Sequence, residues 1–259
     1  MNLLTRAWSA VARRRPRLLA LLAFRDEMRF LPDYFDNLRS RVDGIVALDD
    51  GSMDGSAEFV AAQPEVLRLL HLPRSLDHSW DDAGNHRRLI EASWDFAPDW
   101  LIGVDADERL ENDFRARAER VIAAGRRRGE RAHRVEVREL WDDAEHFRVD
   151  GIWGQKSSAR LFAARRDHEF HAQRLHSHWA PLNSRSNGDF PRADLFLSHL
   201  RMLTAEDRQT RRERYEALDP KRDFQEIGYS YLTDTAGLRL ERLAVGREYR
   251  PLPSVTKTR

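Results

Sequence analysis

Residues 18–24 (LLALLAF) form an unbroken apolar run, the pattern of a strand buried on both faces. Residues 28–42 then place Phe30, Leu31, Tyr34, Phe35 and Leu38 at intervals of three and four, which predicts a helix with one apolar face. The rhythm repeats. Residues 44–48 (GIVAL) read as a second strand, 56–63 as a helix stopped by Pro64, and 66–72 as a third strand. Residues 83–97 read as a helix and 100–104 (WLIGV) as a fourth strand. Strands alternating with helices at this spacing imply a parallel sheet with right-handed crossovers. Beyond residue 110 the pattern loosens. Residues 112–128 predict a polar helix, 133–140 (HRVEVREL) a strand with one wet face, 160–164 a short strand and 205–218 a charged helix. The stretch 173–198, rich in His, Pro, Asn and Gly, reads mostly as loop, and 235–243 as a short helix. The expected organisation is an N-terminal segment (1–16), a main domain (17–204, divided near 110) and a C-terminal helical extension (205–259).

Composition narrows the function class. The chain has 259 residues, of which 41% are hydrophobic, enough for a sizeable core without a disulfide or structural metal. Its 44 basic and 43 acidic residues leave a formal charge of +1, which argues against a generally cationic nucleic-acid binder despite the Arg-rich stretch 126–134. Without cysteine there is no thiolate metal site and no cysteine nucleophile, and a reducing, cytoplasmic setting fits. No apolar run reaches the roughly 18 residues of a membrane span. The first 16 residues place Leu3, Leu4, Ala7, Trp8 and Val11 at helical spacing ahead of Arg13, Arg14 and Arg15. That order is the reverse of a secretory signal; it allows peripheral contact at the inner face of a membrane, or packing on the body of the protein.

The chemistry gathers where the strands end. The first strand runs into Arg25-Asp26-Glu27, the second into Asp49-Asp50-Gly51-Ser52-Met53-Asp54-Gly55-Ser56, and the fourth into Asp105-Ala106-Asp107-Glu108. In an open parallel sheet ligands bind at the carboxyl ends of the strands. Three acidic clusters on one edge would repel each other unless a cation sat among them. Alternate residues leaving a strand point the same way, so Asp105 and Asp107 can face one point. Hard carboxylate oxygens suit Mg²⁺ or Mn²⁺. A calcium loop starting at Asp50 is excluded, because its twelfth position, which needs a bidentate Glu, is Ala61.

Taken together, AFRDEMRFLPDYFDNLRSRVDGIVALDDGSMDGSAEFV and, about 40 residues later, DWLIGVDADERL resemble the family 2 glycosyltransferases. The resemblance is specific over roughly 18–110 and looser to about residue 199. It implies an α/β fold of the GT-A (Rossmann-like) type, with a mostly parallel central sheet flanked by helices and a short helical or irregular C-terminal extension. It also implies inverting transfer of a sugar from a nucleotide-diphosphate donor, UDP favoured, to a glycan or glycoconjugate acceptor. Glu27, Asp49 and Asp50 would hold the base and ribose; Arg25, Ser52, Asn85 and Arg88, which are not carried over from the family, complete the expected donor set. Asp105 and Asp107 would carry the metal, Mn²⁺ or Mg²⁺, joined by a later histidine: His199, with His176 and His178 as rivals. The motif departs from the family pattern at Asp26, where Asn is usual, and at Asn85-His86-Arg87-Arg88, where the family has an Arg-Asn pair. An inverting reaction needs a general base away from the metal. Asp150, followed by Asp142 and Asp143, is the expectation, because these acids neighbour Trp141 and Trp153, which together with Trp179 make a candidate sugar-stacking surface. The alternatives are a nucleotidyltransferase, a nucleotide-sugar-binding module or, more remotely, an anionic-surface or nucleic-acid binder.

Overall fold

The computed structural model describes residues 15–74 and 80–253. The N-terminal amphipathic segment falls almost wholly outside them. The sheet begins with β1 (Leu18–Phe24), whose seven residues are all buried. β2 (Ile45–Asp49) and β3 (Val66–His71) lie on one side of it and β4 (Trp100–Gly103) on the other, all parallel. Phe24 pairs with Asp49, and Leu21 with Gly103, so the acidic strand ends emerge on one edge as the apolar runs require.

Beyond β4 the sheet changes character. β8 (Ser157–Ala163) pairs antiparallel with β4, and β6 (Ala132–Glu139) antiparallel with β8. β9 (Arg192–His199) runs parallel to β6 and β5 (Glu108–Leu110) antiparallel to β9, giving the order β3-β2-β1-β4-β8-β6-β9-β5. A second, two-stranded sheet pairs β7 (His146–Arg148) with β10 (Leu240–Arg242).

Helices cover both faces. α1 (Leu31–Leu38) buries Leu31, Tyr34, Phe35 and Leu38, while α3 (Asp82–Ser93) buries Leu89 and Ile90 on the opposite layer. α2 (Ser56–Ala61), α4 (Phe114–Arg128) and α5 (Ala205–Leu218) complete the set. Pro32 starts α1, where its missing N–H costs nothing. The Asp81 carboxylate caps α3 by accepting from the Gly84 N–H at 3.0 Å. Among the described residues no helix is long and apolar enough to cross a membrane.

Three sequence expectations are corrected. The helix expected over 28–42 spans only Leu31–Leu38, since Arg41 turns its guanidinium back onto the Asn37 and Glu111 carbonyls and ends it. The stretch 173–198 is not mostly loop at its end: 192–198 belongs to β9, held between β6 and β5. The helix expected over 235–243 is a turn leading into β10, which finds its hydrogen bonds on β7. These segments take their structure from distant partners, which local periodicity does not encode.

Candidate active site

A cavity of about 890 Å³ opens at the carboxyl ends of β1 and β4. Arg25 and Glu27 line it from the end of β1, Asp105 and Asp107 from the end of β4, and His199 from the end of β9. α5 supplies another wall through Asp207, Arg211 and Tyr215. The segment Leu175-His176 and the first turn of α3, with Asp82, close a further side.

His199 is fixed by two carboxylates. Its Nδ1–H donates to Glu139 Oε2 at 2.5 Å, and its Nε2 faces Asp107 Oδ2 at 3.1 Å. Glu139 is fully buried on β6 and is also paired with Lys156. Burial alone would lower the His199 pKa; Glu139 and Asp107 outweigh it and push it up to about 9. Asp107 is buried too, yet His199 and Arg201 hold its carboxyl well below the usual range. Arg201 donates to Asp107 Oδ2 at 2.6 Å and to Glu27 Oε1 at 2.5 Å, tying the ends of β1 and β4 together. Burial pushes Glu27 up to about 7, against the pull of Arg201, and its Oε2 is buried with no hydrogen-bond partner. Asp105 is the open member, its side chain 41% exposed. Arg160, from β8, donates to it at 3.1 Å and to Glu108 at 2.8 Å. Glu108 in turn accepts the Asp105 backbone N–H at 2.9 Å, shaping the turn that presents both aspartates.

These residues suit a divalent cation. Among the described residues no three His, Asp or Glu side chains already converge as a cage. Magnesium and manganese seldom need one; they bind through one or two carboxylates, waters and substrate phosphates. The decisive feature is Glu139, which holds the far nitrogen of His199 so that Nε2 faces Asp107. A carboxylate on the non-ligating nitrogen is the usual support of a metal-binding imidazole. His176 and His178 do not reach the aspartates: His176 contacts Tyr229, and His178 packs near His171 and Phe190.

The remaining expected donor residues lie beside the cavity. Asp50 accepts from Arg25 at 2.6 Å, Asn85 Nδ2 is buried without a hydrogen-bond partner, and Asp49 accepts the Ser52 N–H at 2.9 Å. Ser52 Oγ accepts the Asp26 N–H at 3.0 Å, which gives Asp26 a loop-fastening position in place of the usual Asn. Arg88 is exposed on α3. The three acids expected to supply the base do not line the cavity. Asp150 takes a forked pair of hydrogen bonds from Arg148, Asp142 pairs with Arg208 at 2.9 Å, and Asp143 caps its own turn. Trp141 and Trp153 are buried, with arginines on their faces. The cavity residues that sequence reasoning missed are Arg201, Arg211 and Asp82. Arg201 stands two residues after His199, and Asp82 belongs to the Asp-Asp pair opening α3; both were visible without a pattern that singled them out.

No family model matches the chain. Uncharacterized proteins of Mycobacterium tuberculosis and Mycobacterium bovis are each 29% identical to it over 224 residues, covering 83% of this chain and 53% of theirs. The chain therefore spans about half the length of the curated relatives it matches. Among solved structures, the mannosyltransferase PcManGT from Pyrobaculum calidifontis, in complex with GDP-Man and Mn²⁺, is similar with a TM-score of 0.51. Identity is 13%, over 83% of this chain and 69% of that one. This chain has the GT-A fold of nucleotide-diphospho-sugar transferases. The S. aureus TarS structure is similar at a TM-score of 0.47 and 10% identity, over 82% of this chain and 44% of that one. Within the GT-A frame, the acidic ends of β1, β2 and β4 occupy the carboxyl edge of the parallel half, where such sheets bind ligands.

Proposed function

We propose that this chain is an inverting glycosyltransferase that moves a sugar from a nucleoside-diphosphate donor to a hydroxyl of a glycan or glycoconjugate, with Mn²⁺ or Mg²⁺ bound. The observation that carries the reading is that Asp105, Asp107 and a Glu139-oriented His199 all line one large cavity, with His199 Nε2 facing Asp107. Those three residues would hold the cation. A divalent cation there supplies Lewis-acid stabilisation of the charge developing on the leaving diphosphate. The chain's own groups do the rest. The unpartnered Glu27 Oε2 is placed to accept from a nucleotide N–H or hydroxyl, and Arg25 holds Asp50 at the neighbouring strand end. Arg201 keeps Glu27 and Asp107 at fixed separation. Arg211, 3.2 Å from His199, brings permanent positive charge to the same wall. PcManGT binds GDP-Man with Mn²⁺, which supports a nucleotide-sugar donor; UDP is the nucleotide that the motif resemblance favours.

The test is a thermal-shift screen of UDP, GDP and dTDP and their sugars, with Mn²⁺ and with EDTA. Ligand that binds only the native state raises the melting temperature. A nucleoside diphosphate should stabilise the protein markedly more with Mn²⁺. Equal stabilisation in EDTA removes the metal from the scheme, and no stabilisation by any nucleotide removes the scheme. Release of free sugar from a bound donor separates a transferase from a binding module.

A further inference from the structure

The same cavity is lined by a histidine that the metal does not need. His176 lines the cavity on the segment that follows Arg174, and its backbone adopts φ = 58°. Such a conformation is uncommon for a residue with a side chain and persists where surrounding structure enforces it. The enforcement is visible. The Arg174 carbonyl accepts the Asp82 N–H at 2.8 Å, and Asp82 accepts backbone N–H groups of His176 and Ser177. Trp80 Nε1–H holds the other Asp82 oxygen at 2.5 Å.

The His176 ring is oriented as tightly as its backbone. It packs against Tyr215 and Tyr229, which stack on each other with ring centroids 5.1 Å apart. Its Nε2 lies 3.1 Å from the Tyr229 hydroxyl, and that hydroxyl donates to Asp219 Oδ2 at 2.8 Å. Asp219 Oδ2 also takes the Phe224 and Gln225 N–H groups. The phenol has a single proton and gives it to Asp219, so Nε2 must be the protonated nitrogen of His176 and donate to the phenol oxygen. Nδ1 is then left as a bare lone pair on a residue of the cavity wall. The charged groups around the ring are Arg211 and Lys156, which with burial disfavour its protonation, and Asp219, which favours it. A neutral imidazole with one nitrogen held by a tyrosine–carboxylate pair is the arrangement of a general base.

We propose that His176 is the general base for the acceptor, with Tyr229 and Asp219 as its positioning residues; this rests on the glycosyl-transfer reading above. As the acceptor oxygen bonds to the anomeric carbon, the carbon–oxygen bond to the diphosphate breaks and its electron pair leaves with the diphosphate. The acceptor proton passes to His176 Nδ1. The resulting imidazolium keeps its Nε2–H bond to Tyr229, whose proton stays directed at the Asp219 carboxylate. The proton then returns to solvent.

The test compares two nucleophiles. Water must lose a proton to attack; azide carries none. The full chain is loaded with Mn²⁺ and the UDP- or GDP-sugar it hydrolyses fastest, and formation of free sugar and of glycosyl azide is followed. His176→Gln should lose about 10²–10⁴-fold in hydrolysis, keep glycosyl azide formation, and keep the UDP or GDP thermal shift. His176→Gly suits the positive φ and guards against a folding defect in the Gln variant; it should show the same split. Tyr229→Phe should lose about tenfold in hydrolysis and nothing with azide. Hydrolysis unchanged in both His176 variants overturns the proposal, and so does an equal loss with water and azide. If the wild-type protein binds no nucleoside diphosphate in the presence of Mn²⁺, the glycosyl-transfer reading itself falls.

Discussion

The cavity edge around Asp107 and the corner around Asp150 are built from the same parts: carboxylates, arginines and aromatic rings. In the corner the carboxylates and arginines satisfy one another, and among the described residues there the one group left over is the buried Trp141 Nε1–H, a donor with no route to a ligand. Arg148 gives two nitrogens to Asp150 and a third to the Asp234 carbonyl, and its plane lies over Trp141 and Trp153 at 4.5 and 5.2 Å. Arg208 covers Trp141 again while pairing with Asp142. Both indoles are buried, so no face is left for a sugar. At the cavity edge the parts do not close on themselves. Glu27 keeps a buried oxygen without a donor, Asp105 stays exposed, and His199 is aimed at Asp107 by a carboxylate behind it. Arginine beside aspartate is thus no guide to chemistry. What separates a brace from a binding edge is whether hydrogen-bonding capacity is left over.

The sharpest way to break this comparison is to mutate both sides. Asp107→Ala should lower turnover about 10²–10³-fold, the usual effect of removing one electrostatic contact to developing charge. It should also abolish the Mn²⁺-dependent part of the UDP or GDP thermal shift. Asp150→Ala should leave that shift intact, and a large loss of nucleotide binding there would place the corner in the site. Arg148→Met should destabilise the fold by about 2–3 kcal/mol in urea unfolding, somewhat below the usual cost of breaking a buried pair because Asp150 is partly exposed. The nucleotide affinity of the folded protein should not change.

A third prediction concerns histidines of opposite sign. His86 and His133 are buried, and burial lowers them to about 3 and about 4. Their stability contribution is present above the unfolded pKa of about 6.5 and declines as pH falls toward the folded values, because the unfolded chain binds the extra protons. Each should lose about 1–2 kcal/mol between pH 7 and 5. His199 is raised to about 9, so its contribution is full below about 6.5 and is lost as pH rises through 9. In EDTA, melting temperature against pH should therefore peak near neutrality. His86→Gln should flatten the acid limb and His199→Gln the alkaline limb; the reverse assignment would contradict the described environments. The smallest expected effect is Glu27→Gln, about tenfold weaker nucleotide binding, the low end for a hydrogen bond to a charged group. Isothermal titration calorimetry would measure it.

The same contrast explains what could be read from the chain. Leu18 to Phe24 and Trp100 to Gly103 are buried on both faces, so their apolar runs announce strands, and the acids that follow them must reach the sheet edge. The acids at these strand ends follow from that local grammar, while their roles toward donor and metal, and the choice of His199, come from the family resemblance. The far half of the sheet does not. β9 has a polar first half and depends on β6 and β5, which are distant in sequence. The expectation that Trp141 and Trp153 stack on sugar used only their nearness in sequence to Asp142 and Asp150; the arginines that cover them include Arg208, 67 residues beyond Trp141. His176, Tyr229 and Asp219 meet across more than 40 residues, and no spacing rule links them.

Gly103 has a consequence for how this chain can change over generations. A methyl group there would sit 2.1 Å from the Trp179 indole, which lies against β4 and stacks on His86 at 3.7 Å. Position 103 cannot drift alone. A side chain at 103 should appear in natural relatives only where position 179 has become smaller, and shrinking Trp179 first would open the only permissive route. Substitutions at 103 and 179 should therefore arrive in pairs, and a gene library that randomises 103 while holding Trp179 should return glycine.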